Sequence, residues 1–181
     1  MKSYDFLKWN PDDDRALVLF IRDADGQAVA SLRAILLHAN EELETLFDIR
    51  LNSAMPLPIL AMDRLVILSS QRGKGLSSVF RCCLYGACTR SEIMTIAFTI
   101  NEGLSRIPFQ KKLGYQFEPA DISHRSDSPY DNEGGILLAH LEHNSFKQAY
   151  EVSSENLIVD LATVSLQEGF NQKVEQYLSL S

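Results

Sequence analysis

The chain has 181 residues, 45% of them hydrophobic and 23% charged, which is typical of one globular domain with a single core and not of a disordered chain. Its formal net charge of −7 argues against a broad nucleic-acid-binding face, because such a face needs clustered lysine and arginine. No apolar run approaches the roughly 20 residues that span a bilayer, and the start of the chain lacks the basic-then-apolar order of a secretory signal. We therefore expect one cytoplasmic domain over residues 1–181, without a membrane span or a nucleic-acid partner.

The first part of the chain predicts a β-hairpin. Residues 16–21 and 28–37 are apolar and rich in β-forming residues, and Asp25 and Gly26 lie between them. Asp-Gly is a favourable turn pair because glycine accepts the positive φ that the turn requires. A short helix or turn is expected next, over residues 40–47.

A buried strand is predicted after a proline-containing connection. Pro56 and Pro58 favour extended backbone, since a residue before proline is pushed out of the helical region. Residues 64–68 then form a nearly continuous apolar run, which is typical of a central strand covered on both faces. Apolar residues spaced three and four apart predict a helix over residues 76–89, and a second apolar strand follows at residues 93–100.

The last part predicts one more helix, a hairpin and a helical tail. A helix is expected over residues 102–113, because Gly114 suits the left-handed position that ends a helix. The tail is predicted to be helical from Ser153 onward, with a break at Gly169. Two strands lie between them, joined by a long polar connection: residues 115–122 and 136–141. The element order β-β-(α)-β-α-β-α-β-β-α predicts an α/β (α+β) fold, a single mixed sheet of about six strands with flanking helices.

The turn between the strand at 64–68 and the helix after it carries a pattern with chemical meaning. The first turn of a helix leaves backbone N–H groups without internal partners and carries partial positive charge. Gly73 and Gly75 have no Cβ, so a phosphate can approach these N–H groups closely, and Arg72 and Lys74 add two full charges. The pattern predicts an anion cradle, with a plain tight turn and solvated charges as the alternative. It matches neither a P-loop nor a dinucleotide-binding fingerprint.

Residues 72–77, Arg-Gly-Lys-Gly-Leu-Ser, resemble the Arg/Gln-x-x-Gly-x-Gly/Ala motif of the GNAT N-acyltransferases. In that family the backbone amides of the motif bind the pyrophosphate of acyl-CoA. The strand before the motif, here residues 65–68, splays in that family and pairs with the pantetheine arm of the cofactor. Ser77 departs from the usual Gly or Ala but is also a small residue.

A second block agrees with the first. Asn101 and residues 109–115, Phe-Gln-Lys-Lys-Leu-Gly-Tyr, resemble the family's Asn…Phe-Tyr-Glu-Lys-Leu-Gly-Phe segment, in which the Asn contacts the cofactor arm. Gln110 stands where many relatives carry a tyrosine that protonates the leaving thiolate, and glutamine cannot serve as an acid. By this resemblance, the cofactor-binding residues are Val66, Ile67, Leu68, Arg72, Gly73, Lys74, Gly75, Leu76, Ser77 and Asn101.

The resemblance also predicts the layout of the domain. It covers residues 65–117 and implies the GNAT acyl-CoA N-acyltransferase fold with a core at about 16–141. The chain begins at what resembles the family's second strand, so the usual first strand and its helices, which shape the acceptor pocket, are expected to be missing. The helices at about 145–181 would then be an extra C-terminal extension.

A narrower resemblance concerns two strand segments. Residues 28–33, Ala-Val-Ala-Ser-Leu-Arg, and residues 62–66, Met-Asp-Arg-Leu-Val, are similar to strands of the acyl-homoserine lactone synthases and long-chain N-acyl amino acid synthases. Those strands read Ser-Leu-Arg-Leu and Glu-x-Ser-Arg-Leu/Phe, and that branch usually takes acyl groups from acyl carrier protein. Here Ala61 and Asp63 replace the Glu and the Ser, so the acidic residue moves by two positions and keeps its face of the strand.

The resemblance implies an N-acyltransferase in which an amine attacks a pantetheine thioester directly, with acyl-CoA (including acetyl-CoA) or acyl-phosphopantetheine on acyl carrier protein as donor. Asp63 is the candidate general base, with a solvated charge or a partner of Arg64 as the alternative. Arg33 and Arg64 are candidates for holding an acceptor carboxylate or a carrier phosphate, with surface ion pairs as the alternative. A catalytically degenerate module that binds CoA or a protein without turnover is the competing hypothesis, and a homodimer is left open.

The cysteines and histidines predict no further chemistry. The three cysteines fall close together on one predicted helix, so we expect small buried thiols in a reducing compartment, without a disulfide or a metal site. His140 and His143 are expected on opposite faces of a strand, which argues against a shared metal. His124 is expected in a loop, from which it could reach the acceptor pocket.

Overall fold

A mixed six-stranded sheet organises the residues that the structure describes. The computed structural model describes residues 11–121, 135–157 and 170–179. The strands are β1 (Leu17–Arg22), β2 (Ala28–Leu37), β3 (Ile59–Ile67), β4 (Thr95–Asn101), β5 (Gln116–Pro119) and β6 (Ile136–Glu142). Their order is β1-β2-β3-β4-β6-β5, and all neighbours are antiparallel except β3 and β4, which are parallel. The predicted mixed sheet of six strands is confirmed.

Helices flank this sheet. Those that the structure describes are α1 (Pro11–Asp14), α2 (Asn40–Phe47), α3 (Leu76–Cys88), α4 (Ile107–Lys112), α5 (Phe146–Glu155) and α6 (Phe170–Leu178). Helix α3 connects the two parallel strands, as a crossover helix must. None of the described helices is long and apolar enough to cross a membrane.

Side chains on the two faces of the sheet form separate cores. On one face, here called the α3 face, the strands pack against α3, α5 and α6 through Leu60, Met62, Ile96, Ala139, Leu141, Phe80, Leu84, Phe146, Val174 and Leu178. On the other face, here called the α2 face, the strands pack against α2 and the segment after it through Ile35, Leu37, Leu43, Phe47, Ile49, Met55, Ile59, Ala61, Ala97 and Leu138. Residues two apart on one strand therefore share a core, as the pleat requires.

The hairpin between β1 and β2 forms where Asp25 and Gly26 predicted it. The N–H of Asp23 donates to the carbonyl of Gln27 at 3.0 Å, and the N–H of Gly26 donates to the carbonyl of Asp23 at 3.0 Å. Gly26 has a φ of 80°, a value that glycine adopts without strain.

Strand β3 differs from its predicted extent and burial. It begins at Ile59 instead of residue 64, and its first half is the buried part. Leu65 and Val66, in the second half, are 37% and 48% exposed. The apolar run therefore does not mark a strand covered on both faces. Burial follows the part of β3 that lies between β2 and β4, and the later residues have only β2 beside them.

Two helices also begin at residues other than those predicted. Helix α4 begins at Ile107, since the chain from Asn101 to Leu104 forms a turn and Pro108 favours the first turn of a helix. Helix α5 begins at Phe146, and Ser153, where the helical tail was predicted to begin, lies fully buried inside it. The predicted break at Gly169 lies outside the described residues.

The C-terminal helices are attached to the sheet by specific contacts. A Cβ added at Gly86 in α3 would come within 3.2 Å of the Tyr150 ring in α5, so the absence of a side chain lets these helices pack closely. In α6, the hydroxyl of Tyr177 accepts a hydrogen bond from the N–H of Leu36 at 3.0 Å and donates to the carbonyl of Arg15 at 2.9 Å. Helix α6 therefore completes hydrogen bonding on β2 where β1 has not yet begun.

Candidate functional site

Strands β3 and β4 pair over a short distance and then separate. Their pairing runs from Ile59 opposite Thr95 to Ala61 opposite Ala97, and no later pair joins them in the described residues. Both strands continue beyond this point. A gap therefore opens in the sheet at the carboxyl ends of its parallel strands, the place where ligands of open α/β sheets bind.

A β-bulge at Arg64 reorients the second half of β3. Arg64 has a φ of 49°, and the register against β2 shifts there: Arg33 faces Asp63, but Ser31 faces Val66. One extra residue on β3 is accommodated in this way. Val66 thus lies on the α2 face, as Asp63 does, although the two residues are three positions apart and would lie on opposite faces of a regular strand.

The predicted arm-binding residues border the gap. Val66 and Leu68 are 48% and 46% exposed on the β3 side, with Ile67 partly buried between them. Asn101 is partly buried at the end of β4. The β3 side thus offers exposed apolar surface and backbone groups that do not pair with β4, which suits a chain of alternating amide and methylene groups.

The turn after β3 presents unbonded backbone N–H groups. Gly73 and Gly75 have φ values of 79° and 77°, and Gly75 is the N-terminal cap of α3. In the described part of the chain, no acceptor bonds the N–H groups of residues 73–77. A Cβ built at Gly73 would meet no atom within 4 Å, so the approach to these groups is open. The residues present therefore fit a phosphate group.

Arg72 and Lys74 hold their charges beside these N–H groups. The Nε of Arg72 donates to the carbonyl of Ile67 at 3.4 Å, and the Nζ of Lys74 donates to the Oε1 of Gln71 at 2.9 Å. Both side chains are exposed, and neither pairs with a carboxylate among the described residues. Both cations remain available to an anion. Leu76 is buried and Ser77 is partly buried at the start of α3.

Two more arginines add positive charge at α3 and α4. The guanidinium of Arg81 lies 5.5 Å from the ring centre of Phe109. Burial lowers the pKa of Arg106, and the like charge of Arg81 lowers it further. Two cations thus lie close enough to repel each other without a bridging carboxylate in the described residues, an arrangement that an anionic ligand would relieve.

The predicted base and the predicted acceptor-binding arginines form one ion cluster. The Nε of Arg33 donates to Asp63 Oδ1 at 2.7 Å, and its Nη2 donates to the other carboxylate oxygen. Arg33 also donates to the buried Asp13 in α1, as does Arg64 at 3.0 Å. Asp63 therefore pairs with Arg33, not with Arg64. Burial alone would lower the pKa of Arg33, but Asp63 and Asp13 outweigh it and raise that pKa.

No tyrosine of the described core replaces the acid that Gln110 cannot supply. The hydroxyls of Tyr85 and Tyr115 bond each other at 2.9 Å inside the α3 face, and burial raises the pKa of Tyr85 to about 12. A phenol held in this way is not available to a substrate. Gln110 itself is 3% exposed, and its Oε1 has no hydrogen-bond partner.

His140 is a residue whose surroundings the sequence did not predict. It lies on β6 opposite Ala97, and its Nε2 lies 3.4 Å from Oε1 of Glu118 on β5. The distance is too long for a good hydrogen bond, and neither ring nitrogen has a bonding partner. His143 instead bonds the carbonyl of Ile93 through Nδ1 at 2.7 Å. The pairing register of β5 and β6 brings Glu118 close to His140, and this register cannot be predicted from the sequence alone.

The cysteines offer no activated nucleophile. Burial raises the pKa of Cys83 to about 11 and that of Cys88 to about 12, so both remain thiols at neutral pH. Burial also raises the pKa of Cys82, whose Sγ lies 3.7 Å from the Oγ of Ser154. Over residues 11–121, 135–157 and 170–179, no three His, Cys, Asp or Glu side chains come together in a metal-binding arrangement.

Solved structures share this fold. The CoA-dependent acyl-homoserine lactone synthase BjaI, with SAM and isopentyl-CoA, matches with a TM-score of 0.59 and 14% identity over 97% of this chain and 81% of that chain. The CoA-dependent acyl-homoserine lactone synthase MesI matches with a TM-score of 0.51 and 15% identity over 79% of this chain and 70% of that chain. A candidate acetyltransferase from Acinetobacter baylyi ADP1 matches with a TM-score of 0.50 and 14% identity over 71% of this chain and 64% of that chain.

These matches define the class of fold. No family model matches the sequence, and no curated protein matches it. The fold is that of the GNAT acyltransferases, as the motif at residues 72–77 implied. Within that class, acyl-homoserine lactone synthases are among the structures that this chain resembles, in agreement with the segments at 28–33 and 62–66.

Proposed function

We propose that the protein is an N-acyltransferase that moves an acyl group from a CoA thioester to an amine. The observation that carries this proposal is the gap between β3 and β4 followed at once by the unbonded N–H groups of residues 73–77. An extended thioester arm needs the first feature and a diphosphate needs the second. The gap is followed directly by the turn, just as the pantetheine arm of CoA is followed directly by the diphosphate.

The donor site follows from these parts. The diphosphate accepts hydrogen bonds from the turn and lies between Arg72 and Lys74, whose charges have no carboxylate partner among the described residues. The pantetheine arm lies along the exposed residues of β3, and Asn101 contacts it from β4. The thioester then reaches the point where Ala61 and Ala97 end the pairing of the strands.

We propose CoA, in preference to acyl carrier protein, as the carrier of the acyl group. BjaI and MesI are described as CoA-dependent, and a CoA diphosphate would occupy the cradle that the turn offers. The arginines Arg81 and Arg106 extend the positive charge beyond the turn, which suits the remaining phosphate of CoA.

For the acceptor we propose a primary amine that also carries a carboxylate. Arg64 uses only Nη1 for its bonds to Asp13 and is partly exposed, so its remaining donors can bind a carboxylate at the α2 face. SAM, which BjaI binds, is an amine of this type. The amine attacks the thioester carbon directly, the C–S bond breaks, and the thiolate leaves without an acid at Gln110.

The experiment is a thiol-release assay. The protein is incubated with acetyl-CoA or isovaleryl-CoA, the acyl thioester with the carbon skeleton of isopentyl-CoA, and with each of glycine, homoserine lactone, SAM and spermidine. Free CoA thiol is measured against a blank without protein. Acceptor-dependent release supports the proposal. CoA binding in a calorimetric titration without release across all acceptors would favour a degenerate binding module, and the absence of binding at millimolar CoA would refute the donor site itself.

A further inference from the structure

We propose that His140 is the general base of the reaction and that Glu118 orients it, an inference that rests on the proposed function. His140 lies in the row of paired residues that crosses the sheet where β3 and β4 part. The row runs through Ile35, Ala61, Ala97, His140 and Gln116. His140 is therefore one strand away from the last residue that pairs β4 with β3.

The imidazole lies on the face where an acceptor would approach. Ala61 and Ala97 belong to the core of the α2 face, and His140 is directly opposite Ala97. Neighbouring strands are about 4.8 Å apart, so His140 lies one strand spacing from Ala97, the last residue of β4 that pairs with β3.

The ring is buried but not satisfied. His140 is 7% exposed, and neither Nδ1 nor Nε2 has a hydrogen-bond partner among the described residues. A buried polar atom without a partner costs free energy, so such atoms in native proteins call for an explanation. A ligand that hydrogen-bonds Nδ1 supplies one.

Glu118 determines which nitrogen is available. Its Oε1 faces Nε2 at 3.4 Å, so a carboxylate there favours the tautomer in which Nε2 carries the proton. Nδ1 then keeps its lone pair. When the amine nitrogen bonds to the thioester carbon, Nδ1 takes the proton that the nitrogen loses, and the electrons of the broken C–S bond leave with the CoA thiolate. The proton then passes from His140 to the thiolate or to solvent, which restores the neutral ring.

His140 fits this role better than Asp63 does. Both carboxylate oxygens of Asp63 already accept hydrogen bonds from Arg33. A carboxylate that accepts two charge-assisted bonds gives up an ion pair if it takes a proton. Nδ1 of His140 has no hydrogen-bond partner among the described residues, so it loses no ion pair when it takes a proton.

The test compares His140→Gln, His140→Asn and Glu118→Gln with the wild type, with His38→Gln as the control because His38 is exposed. Thiol release is measured with acetyl-CoA or isovaleryl-CoA and an acceptor from the set above. Both His140 variants are expected to lose about 10²- to 10⁴-fold in kcat, the range for loss of a general base. Their Kd for CoA should stay within about 2-fold, since the donor cradle lies elsewhere on the chain. Glu118→Gln should lose less, on the order of 10-fold in kcat, because the base remains but is less well oriented.

A second measurement does not depend on turnover. The ¹⁵N shifts of the His140 ring should show the proton on Nε2 in the wild type and a larger share on Nδ1 in Glu118→Gln. A wild-type ring protonated on Nδ1 contradicts the proposal, and so does an unchanged kcat in both His140 variants. Loss of CoA binding or of folding in parallel with kcat would show a structural role and would equally overturn it. Absence of thiol release from the wild type would instead refute the proposed function, and this assignment with it.

Discussion

Arg33 and Asp63 are register partners on β2 and β3, and the guanidinium of Arg33 donates hydrogen bonds to both carboxylate oxygens of Asp63. The pair lies on the α2 face just before the bulge at Arg64. Arg33 is 5% exposed and also bonds Asp13, so the pair joins α1 to the sheet beside the gap. Such a cluster stabilises the border of the gap.

Replacement of Arg33 is therefore expected to destabilise the protein strongly. Arg33→Met leaves the buried Asp13 and the partly buried Asp63 without their shared cation, at a cost of about 3–5 kcal/mol in the free energy of unfolding. Asp63→Asn keeps the shape and should cost less, about 1–3 kcal/mol. Urea denaturation measures both. If Asp63→Asn keeps full stability and CoA binding but loses turnover, Asp63 is the base and His140 is not.

Gly73→Ala should weaken CoA binding, and the hairpin provides a matched control. Gly73 and Gly26 have φ values of 79° and 80°, and a Cβ at either position meets no atom within 4 Å. Alanine in this region costs about 1–2 kcal/mol, so both variants should lose similar stability. Only Gly73→Ala places a methyl group beside the unbonded N–H groups.

Thermal melts and calorimetric titration separate these two effects. We expect a loss of 10-fold or more in CoA affinity for Gly73→Ala, about 1.4 kcal/mol, and a change within about 2-fold for Gly26→Ala. Equal CoA affinity in the two variants would mean that the turn does not hold the diphosphate.

Arg72→Gln and Lys74→Gln should each weaken CoA binding by about 3- to 10-fold. The effect is smaller than for the loss of a buried ion pair, because both side chains are exposed and solvent screens their charges. The salt dependence of the Kd should become shallower in each variant because one cation is lost. Lys147→Gln, an exposed lysine on α5, serves as the control and should leave the Kd and its salt dependence unchanged. A salt dependence that is the same in all four proteins would contradict the assignment.

The buried tyrosine pair predicts loss of stability at alkaline pH. Burial raises the pKa of Tyr85 to about 12 from 10, and burial also raises the pKa of Tyr115 well above 10. Above pH 10 the unfolded chain releases these protons and the native protein keeps them, so stability falls as pH rises from about 10 to 12. For Tyr85 alone the loss is about 2–3 kcal/mol.

Circular dichroism melts at pH 8, 10 and 11 measure this loss, with tyrosine ionisation followed at 295 nm. The double variant Tyr85→Phe/Tyr115→Phe should show a shallower decline, because neither ring can ionise. Ionisation of both rings before unfolding, at the pH expected for free tyrosine, would contradict the burial of the pair.

Tyr177→Phe should loosen α6. The change removes the acceptor of the Leu36 N–H and the donor to the Arg15 carbonyl, at a cost of about 1–3 kcal/mol. Limited proteolysis should then cleave the chain near α6 sooner than in the wild type. Glu175→Gln breaks only the exposed ion pair with Arg90 and should change the cleavage rate little.

The sequence predicted the elements well and the contacts between them poorly. Periodicity located β1, β2, α2, α3 and β6 within one or two residues, since each has a clear apolar pattern or an unambiguous turn. Helix α5 was placed too late because its buried face includes Ala149 and Ser153, which do not stand out as apolar. The burial of β3 was assigned to the wrong half because hydrophobicity does not show where a neighbouring strand departs.

The candidate site also has a part that local sequence patterns predict and a part that depends on contacts between strands. The turn at residues 72–77 could be found because its residues are contiguous and its chemistry depends on the local backbone. The partners of Arg33 and of His140 depend on strand register, which for Arg33 includes an irregular bulge that no local pattern announces. Motifs therefore predicted the proposed donor site, and tertiary structure was needed for the proposed acceptor side.

The extra residue at Arg64 also determines which changes in length this gene can tolerate. Ahead of it, Asp63 is on the α2 face, and beyond it Ile67 packs into the α3-face core because the bulge has reversed the alternation. Deletion of the Arg64 codon would remove the bulge and leave Val66 opposite Ser31 and Ile67 opposite Ala30, so both side chains would keep their faces. Insertion of one more codon would instead need a wider bulge, or it would slip the register and exchange the faces of Val66 and Ile67.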